Sequence, residues 1–252
     1  MNLTVNITAK EVNIHTSEIG TQPETGIDLD ELLSAVNEDK EAESYLDDLF
    51  DEVEAGELTA DEEMLLAGFG SDELDVGDVV KLKLFGEPTE FRVVHKNYKT
   101  DGKVVLMPEN IEFFHVFNRD YANVYETSEI RDYLNRVFLS GFHPLIQDAI
   151  VKTPVECSVD DEIRVVYDKL WLPSYTEMGF SGSDYAAKEG KPFEYFDNKE
   201  KKRKVGSAWE KFYWLRTPYS SYTDSAWNVL TDGTADNGNT TFAFGVVPAF
   251  EI

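Results

Sequence analysis

The chain has little of what most chemistry requires. Cys157 is the single cysteine among 252 residues, which excludes an intrachain disulfide and any zinc site built from several cysteines. There are four histidines, His15, His95, His115 and His143, and none has the His-Glu-x-x-His spacing of a metal-ligating helix; Gly-x-Ser-x-Gly and Gly-rich phosphate loops are absent as well. Basic residues are scarce. Against 49 Asp and Glu stand 23 Lys and Arg, a net charge of −26, so the chain lacks the cations that displace counterions from nucleic acid. No apolar run approaches the roughly 18 residues of a membrane-spanning helix. The start, Met1-Asn2-Leu3-Thr4-Val5-Asn6, has neither the basic nor the apolar part of a signal peptide. The expectations are no catalytic centre, no metal, no cofactor, no nucleic-acid or membrane partner, and synthesis without Sec export.

What is present is enough hydrophobic residue (42%) and aromatic residue (13%) for a substantial core. Charge is unevenly placed: Met1 to Asp75 carries 22 acidic and 2 basic residues, net −20, which leaves −6 for the other 177. Two regions follow, an acidic docking or anchor segment over 1–73 and a β-rich recognition domain over 74–252. The basic run Lys199, Lys201, Lys202, Arg203 and Lys204, set among Glu194, Asp197 and Glu200, reads as a solvated loop or as a docking patch for an acidic partner.

In the acidic segment, Leu3, Val5 and Ile7, then Val12 and Ile14, alternate as one or two short strands with no partner nearby. Short amphipathic helices start at Asp28 with Glu31, run over Tyr45 to Val53, and start again at the capping box Thr59 with Glu62. Beyond Val76, alternation at Val80, Leu82 and Leu84 and at Phe91 and Val93, followed by Val104 to Met107, predicts an antiparallel sheet with its hairpin over Asn97 to Gly102. Ser128 caps a helix through Phe138, and Pro144 opens another. Strands are expected at Ile163 to Tyr167, Leu170 to Leu172, Tyr213 to Arg216, Ala226 to Leu230 and Thr241 to Val247, and a capping box at Ser174 with Glu177. The predicted class is α+β, antiparallel-sheet-rich with two or three helices.

Five blocks in order carry a resemblance. They are Val76-Gly77-Asp78-Val79-Val80, Glu126-Thr127-Ser128-Glu129-Ile130-Arg131-Asp132-Tyr133-Leu134-Asn135, Lys169-Leu170-Trp171-Leu172-Pro173-Ser174, Trp214-Leu215-Arg216-Thr217-Pro218 and Gly245-Val246-Val247-Pro248-Ala249. Together they resemble an uncharacterised domain family of Gram-positive bacteria and their phages, over roughly Leu74 to Ile252. The ending is similar to that of C-type-lectin-like folds of the formylglycine-generating type. Val247 stands where the family usually has arginine, which would leave Arg216 needing another partner.

The resemblance implies a setting rather than a reaction. It points to a phage virion protein, a capsid decoration, head fibre or tail-associated component, assembled in the host cytoplasm. Its acidic segment would dock on other virion proteins, a homotrimer would suit such a position, and its lectin-like domain would meet a cell-surface glycan or protein. The alternatives are a bacterial or mobile-element interaction domain without a virion role, and a carbohydrate-active enzyme.

Candidate ligand contacts are Tyr219, Ser221, Tyr222 and Asp224 in one polar loop and Asp232, Asp236, Asn237 and Asn239 in the other, because Tyr, Ser, Asn and Gly make adaptable binding surfaces. The competing reading is ordinary polar turns. The carboxylates and amides of the second loop also offer oxygens to calcium but lack EF-hand spacing. Trp214, Arg216, Trp227, Gly245 and Pro248 read as structural: a buried guanidinium demands a carboxylate or several carbonyls, and aromatics at strand spacing are usually core. Trp209, Phe212, Tyr213, Trp214 and Trp227 could otherwise form a sugar platform. Nothing places Cys157 beside His143 as a thiol–imidazole pair, formylglycine-generating chemistry needs paired cysteines, and no carboxylate pair has identifiable glycosidase spacing.

Overall fold

The structure, a computed structural model, describes residues 3–8, 11–16, 57–111, 113–160, 162–197 and 212–252. The expected helices at Asp28 and over Tyr45 to Val53, the basic run at Lys199 to Lys204, and Trp209 lie outside the described residues. By compactness the chain falls into two units, Met1–Gly56 with Phe85–Glu87, and Glu57–Leu84 with Pro88–Ile252. In the first, β1 (Leu3–Thr8) pairs antiparallel with β2 (Glu11–Thr16), Val5 opposite Ile14 and Ile7 opposite Val12. The first strand therefore does have a local partner, contrary to the sequence reading.

The second unit starts at Glu57. Helix α1 (Ala60–Leu66) forms as its capping box predicts: Thr59 Oγ1 accepts from the Glu62 N–H at 3.1 Å, and Glu62 Oε2 accepts from the Thr59 N–H at 2.7 Å. The same cap serves strand β3 (Val79–Leu84). Asp61 accepts from the Lys81 N–H at 2.7 Å, the buried Glu62 accepts from the Lys83 N–H at 2.8 Å, and Thr59 Oγ1 donates to the Lys81 carbonyl. An edge strand that would otherwise present unpaired amides is thus closed by helix-cap side chains.

Beyond β3 lie β4 (Glu87–Lys96), β5 (Val104–Pro108) and β6 (Phe114–Val116). Helix α2 (Glu129–Tyr133) then continues as a π turn over Leu134–Phe138, and α3 is Pro144–Ala149. The remaining strands are β7 (Thr153–Val159), β8 (Glu162–Asp168), β9 (Tyr213–Pro218), β10 (Ser225–Val229), β11 (Ala235–Asn239), β12 (Ala243–Gly245) and β13 (Phe250–Glu251). They make a four-stranded sheet, β13-β5-β4-β3, a five-stranded sheet, β11-β10-β9-β12-β6, and the β7-β8 ribbon. The pairings with a described register are antiparallel, except where Gly245 of β12 meets Tyr213 of β9 in parallel. The class is α+β with few helices, as the strand and helix signals implied.

Trp214 and Trp227 lie on adjacent strands, with Trp214 of β9 opposite Asn228 of β10. At Gly245 a side chain has no room: a Cβ would come within 2.4 Å of Ile111 Cγ2 and 2.9 Å of the Phe212 carbonyl oxygen. Pro248 is buried in the run that follows.

Three elements depart from the sequence reading. Leu170 to Leu172 is not a strand, since Trp171 makes a single bridge to Ala249. Side chains take its other backbone groups: Asn135 Nδ2 donates to the Leu170 carbonyl, Asn135 Oδ1 accepts from the Leu170 N–H, and Arg216 takes the Leu172 carbonyl. Ser174 and Glu177 exchange capping hydrogen bonds at 3.0 and 2.9 Å, yet a turn rather than a helix follows, ending at Gly179 with φ of 73°. Thr241 to Val247 shortens to β12, while β11 occupies residues expected to be a loop.

The two sheets and the ribbon share a core in which Arg216 is fully buried. Its guanidinium donates to both oxygens of Glu177, at 2.5 and 2.9 Å, and to the carbonyls of Leu172 and Glu156 at 2.8 and 2.7 Å. Tyr98 donates its phenolic hydrogen to Glu177 at 2.6 Å. Glu189, also buried, stands 3.8 Å from Arg216 Nε and accepts from the Ser158 N–H and the Thr217 hydroxyl at 2.6 and 2.5 Å. Burial lowers the guanidinium's affinity for its proton, but the charge and hydrogen bonds of Glu177, together with Glu189 and Tyr98, outweigh it and keep Arg216 ionised. Val247, where an arginine was expected from the resemblance, is fully buried. Arg216 is instead matched by Glu177.

Removing Arg216 would leave two buried carboxylates without their cation. Arg216→Met should cost about 3–5 kcal/mol, and the double variant with Glu177→Gln should recover part of that, both read from urea unfolding midpoints. Glu189 gives a pH signature. Its burial, opposed by the Arg216 charge, pushes its pKa from 4.5 up to about 7. An unfolded glutamate ionises lower, so the Glu189 contribution to stability is complete below pH 4.5, declines as pH rises to about 7, and is level above. Glu189→Gln should remove that decline from the stability profile relative to the parent chain.

Candidate functional site

Strands β9 and β10 are joined by a tight turn whose shape is set from behind. The Tyr219 N–H donates to the Ser225 carbonyl at 3.0 Å, Tyr222 N–H to the Tyr219 carbonyl at 3.1 Å and Ser225 N–H to the Tyr222 carbonyl at 3.2 Å. The buried amide of Asn123 then collects the carbonyls of Tyr222 and Ser225, at 2.9 and 2.8 Å, with Tyr219 at 3.4 Å, while its own N–H donates to the Thr223 carbonyl. One side chain from elsewhere in the sequence thus preorganises the turn, which lowers the ordering cost of any ligand that uses it.

The turn presents tyrosines. Tyr219 is the hub, with ring centroids 5.1 Å from Tyr185, 5.8 Å from Tyr222 and 5.1 Å from Trp227. Trp227 is itself 4.6 Å from Tyr175, which stacks on Phe180 at 5.0 Å. Tyr185 and Tyr222 are 47% and 60% exposed, whereas Trp227 is buried. The Tyr185 loop is pinned by its carbonyl, which accepts from the Trp227 indole at 3.2 Å and the Ser220 N–H at 3.1 Å. Asp236 of β11 lies close enough that its charge, after desolvation and the neighbouring Tyr185 and Tyr222, helps push up the pKa of the Tyr219 hydroxyl. The arrangement is an aromatic ledge on a rigid support.

Of the residues singled out in the sequence, Tyr219 and Tyr222 come together here, while Asp236 pairs with Asn228 across the β10–β11 register. Asn237 pairs with Trp227 across the β10–β11 register, and Ser221 is exposed at the tip of the turn. Asp224 and Asn239 bind each other: Asn239 Nδ2 donates to Asp224 Oδ2 at 3.1 Å, and the Thr240 N–H donates to the Asp224 carbonyl at 2.9 Å. Asp232 is not brought to the ledge. It sits in the hairpin turn at the opposite end of β10, engaged by the N–H and hydroxyl of Thr234, whose hydrogen bonds hold its carboxyl below the usual range. The Asp232 turn and the Tyr219–Asp224 turn therefore open at opposite ends of β10, with Asp236, Asn237 and Asn239 along β11 between them.

Trp214 and Arg216 are fully buried. The sequence reading missed Asn123, Tyr175, Phe180 and Tyr185, which precede the last strands by 30 to 100 residues and carry no local signal. Among the described residues no group of three or more His, Cys, Asp or Glu is arranged to hold a metal. Cys157 is buried on β7, where burial pushes its thiol up to about 11, and His143 caps α3 through its Nδ1.

A second concavity, a cleft of about 340 Å³, is lined by Glu126, Ser128, Arg131, Asp132, Asn135 and Asp168 among others. Its motif residues are turned to internal ties. Ser128 accepts from the Arg131 N–H and donates to the Tyr125 carbonyl, Arg131 donates to both Asp168 oxygens and the Glu126 carbonyl, and Asn135 holds Lys169 and Leu170. The motif thereby fastens α2 to the segment that supplies Leu172 to Arg216. The model of the family described as "Domain of unknown function (DUF6273)" matches residues 101–252, which include this motif and the Arg216 strand.

The chain belongs to the DUF6273 family. The match begins at the β4–β5 hairpin, so β3 and β4 fall outside it, whereas the sequence blocks had suggested a start near Leu74. No curated protein and no solved structure matches the chain. Within the DUF6273 region lie every residue of the ledge, the Asn123 clamp and, apart from Tyr98, the Arg216 cluster.

Asn123→Ala removes the hydrogen-bond donors to the Tyr222 and Ser225 carbonyls. It should cost about 1–3 kcal/mol, and amide hydrogen exchange should accelerate over residues 219–225 more than in the β4–β5 hairpin.

Proposed function

We propose that this DUF6273 chain is a recognition protein of a phage virion, a capsid decoration, head fibre or tail-associated component, whose lectin-like domain binds a host-surface glycan through the Tyr185–Tyr219–Tyr222 ledge. The observation that carries the binding reading is the preorganised ledge itself. Exposed tyrosine faces cover the apolar faces of sugar rings at small entropic cost, since each ring has only two rotatable side-chain bonds. The neighbouring Asn237 and Ser221 offer acceptors and donors to sugar hydroxyls.

The virion setting rests on the family resemblance in the sequence and on the strongly acidic first 75 residues, suited to docking on other virion proteins after assembly in the host cytoplasm. A trimer fits such a position. The lectin-like assignment rests on the order of the closing segments and on the Trp214 and Trp227 strands lying side by side. A protein-interaction domain without a virion role is the second reading. It is favoured by Ile163, Val165 and Tyr167, 45%, 50% and 59% exposed in a row along β8.

A glycan array with the purified chain is expected to give retention without product formation; turnover would instead indicate a carbohydrate-active enzyme. Tyr219→Ala and Tyr222→Ala should each lower retention at least about tenfold, the loss of roughly one stacking contact. Thermal midpoints should fall little for Tyr222→Ala. Virions whose mass spectra lack this polypeptide would overturn the setting, and undiminished retention by the tyrosine variants would overturn the site.

A further inference from the structure

Independently of the ledge, we infer that the outer edge of β8 pairs with β8 of a second copy of the chain, joining two β7–β8 ribbons into one antiparallel sheet about a two-fold axis. Strand β8 is the edge of its ribbon, and among the described residues none of its backbone groups bonds to an element other than β7. Two other sheet edges are closed. The α1 cap takes the Lys81 and Lys83 amides of β3, and the Val151 N–H donates to the Glu251 carbonyl of β13 at 2.8 Å.

Which groups of β8 point outward follows from β7. The Glu156 carbonyl accepts from Arg216 and the Ser158 N–H donates to Glu189, so both residues turn their backbone away from β8. They stand opposite Val165 and Ile163. Such positions in an antiparallel pair are the non-hydrogen-bonded ones, which directs the N–H and carbonyl of Ile163, Val165 and, two residues on, Tyr167 outward. The same three residues carry side chains 45%, 50% and 59% exposed on one face of the strand. Neither lysine, proline nor a bulge blunts this edge.

A second copy is the occupant because the stripe is complementary to itself. With Val165 opposite Val165 of the second copy, Ile163 falls opposite Tyr167 and Tyr167 opposite Ile163, and each pair exchanges both backbone hydrogen bonds. A β-branched residue against an aromatic one is a favourable cross-strand pair. A slip of two residues in either direction leaves Tyr167 or Ile163 without an apolar partner. On the other face, Arg164 and Asp168 are already matched within each copy, by Glu126 at 3.2 Å and Arg131 at 2.7 Å. One repulsive contact is left, Glu162 opposite Asp168 of the second copy. The net charge of −26 on each copy also opposes the pairing until salt screens it.

The pairing is isologous and closes at two copies, so a trimer would need a different surface. Its apolar stripe falls far short of the roughly 20–30 residues a side of a standard interface. The dimer is therefore reversible, and fills where copies are held close together.

The test is sedimentation velocity of the full chain over about 5 to 500 µM, in low and in high sodium chloride, with amide hydrogen exchange over residues 162–168. A monomer–dimer equilibrium with a dissociation constant of about 10–100 µM is expected, tightened by salt. Exchange over 162–168 should slow as concentration rises, while that over 219–225 stays constant. Val165→Lys should weaken the dimer at least about tenfold, with an unaltered thermal midpoint at monomeric dilution. Glu162→Lys, which sets a cation opposite Asp168 of the second copy, should tighten it about three- to tenfold, so the pairing is read from a gain as well as a loss. A monomer at every concentration, a trimer, a dimer insensitive to both substitutions, or an association that salt dissolves overturns the inference.

Discussion

A single guanidinium joins the parts of this domain. Arg216 projects from β9 of the five-stranded sheet, takes the Glu156 carbonyl of the β7–β8 ribbon and the Leu172 carbonyl of the irregular segment, and is matched by Glu177 in the turn that follows. These elements are far apart in sequence, and none has a long hydrogen-bonded ladder to the others. A buried charge is costly unless every donor is used. That cost makes the site a specification: the ribbon, the Leu170–Leu172 run and the Glu177 turn must all arrive in one arrangement or leave ions unpaired. Burial, against the pull of the Arg216 charge, is also why Glu189 holds its proton to higher pH than an ordinary glutamate.

Local signals in the sequence were reliable where local physics decides. Thr59 and Glu62, Ser128, Pro144 and the alternating Val80, Leu82 and Leu84 each lie where their caps and periods require. Errors concentrate where a distant side chain takes over a backbone group. Leu170 to Leu172 has the composition of a strand, but Asn135 and Arg216 occupy the amides and carbonyls a neighbour strand would use. Ser174 and Glu177 form their reciprocal cap, yet the Glu177 carboxylate also answers to Arg216 and Tyr98, and Gly179 ends the turn. In the opposite direction, Asp236-Asn237-Gly238-Asn239 reads as turn, and β11 exists because register with β10 and the ring of Phe244 over Gly238 hold it.

The candidate site divides in the same way. Tyr219 and Tyr222 are recognisable from their loop, but nothing near them in sequence announces Asn123 or Tyr185. Trp227 illustrates the intermediate case. Its strand spacing correctly indicates burial, while its indole N–H, bonded to the Tyr185 carbonyl, positions a residue that the spacing cannot reveal.

Asn123 grips the Tyr219–Ser225 turn by main-chain carbonyls rather than by side chains. The path of the turn is therefore indifferent to what residues 220–223 are, within the limits of their backbone preferences. A surface built this way can exchange its exposed chemistry one residue at a time without rebuilding its frame, so variation at these positions alters what is recognised and spares the scaffold that does the recognising.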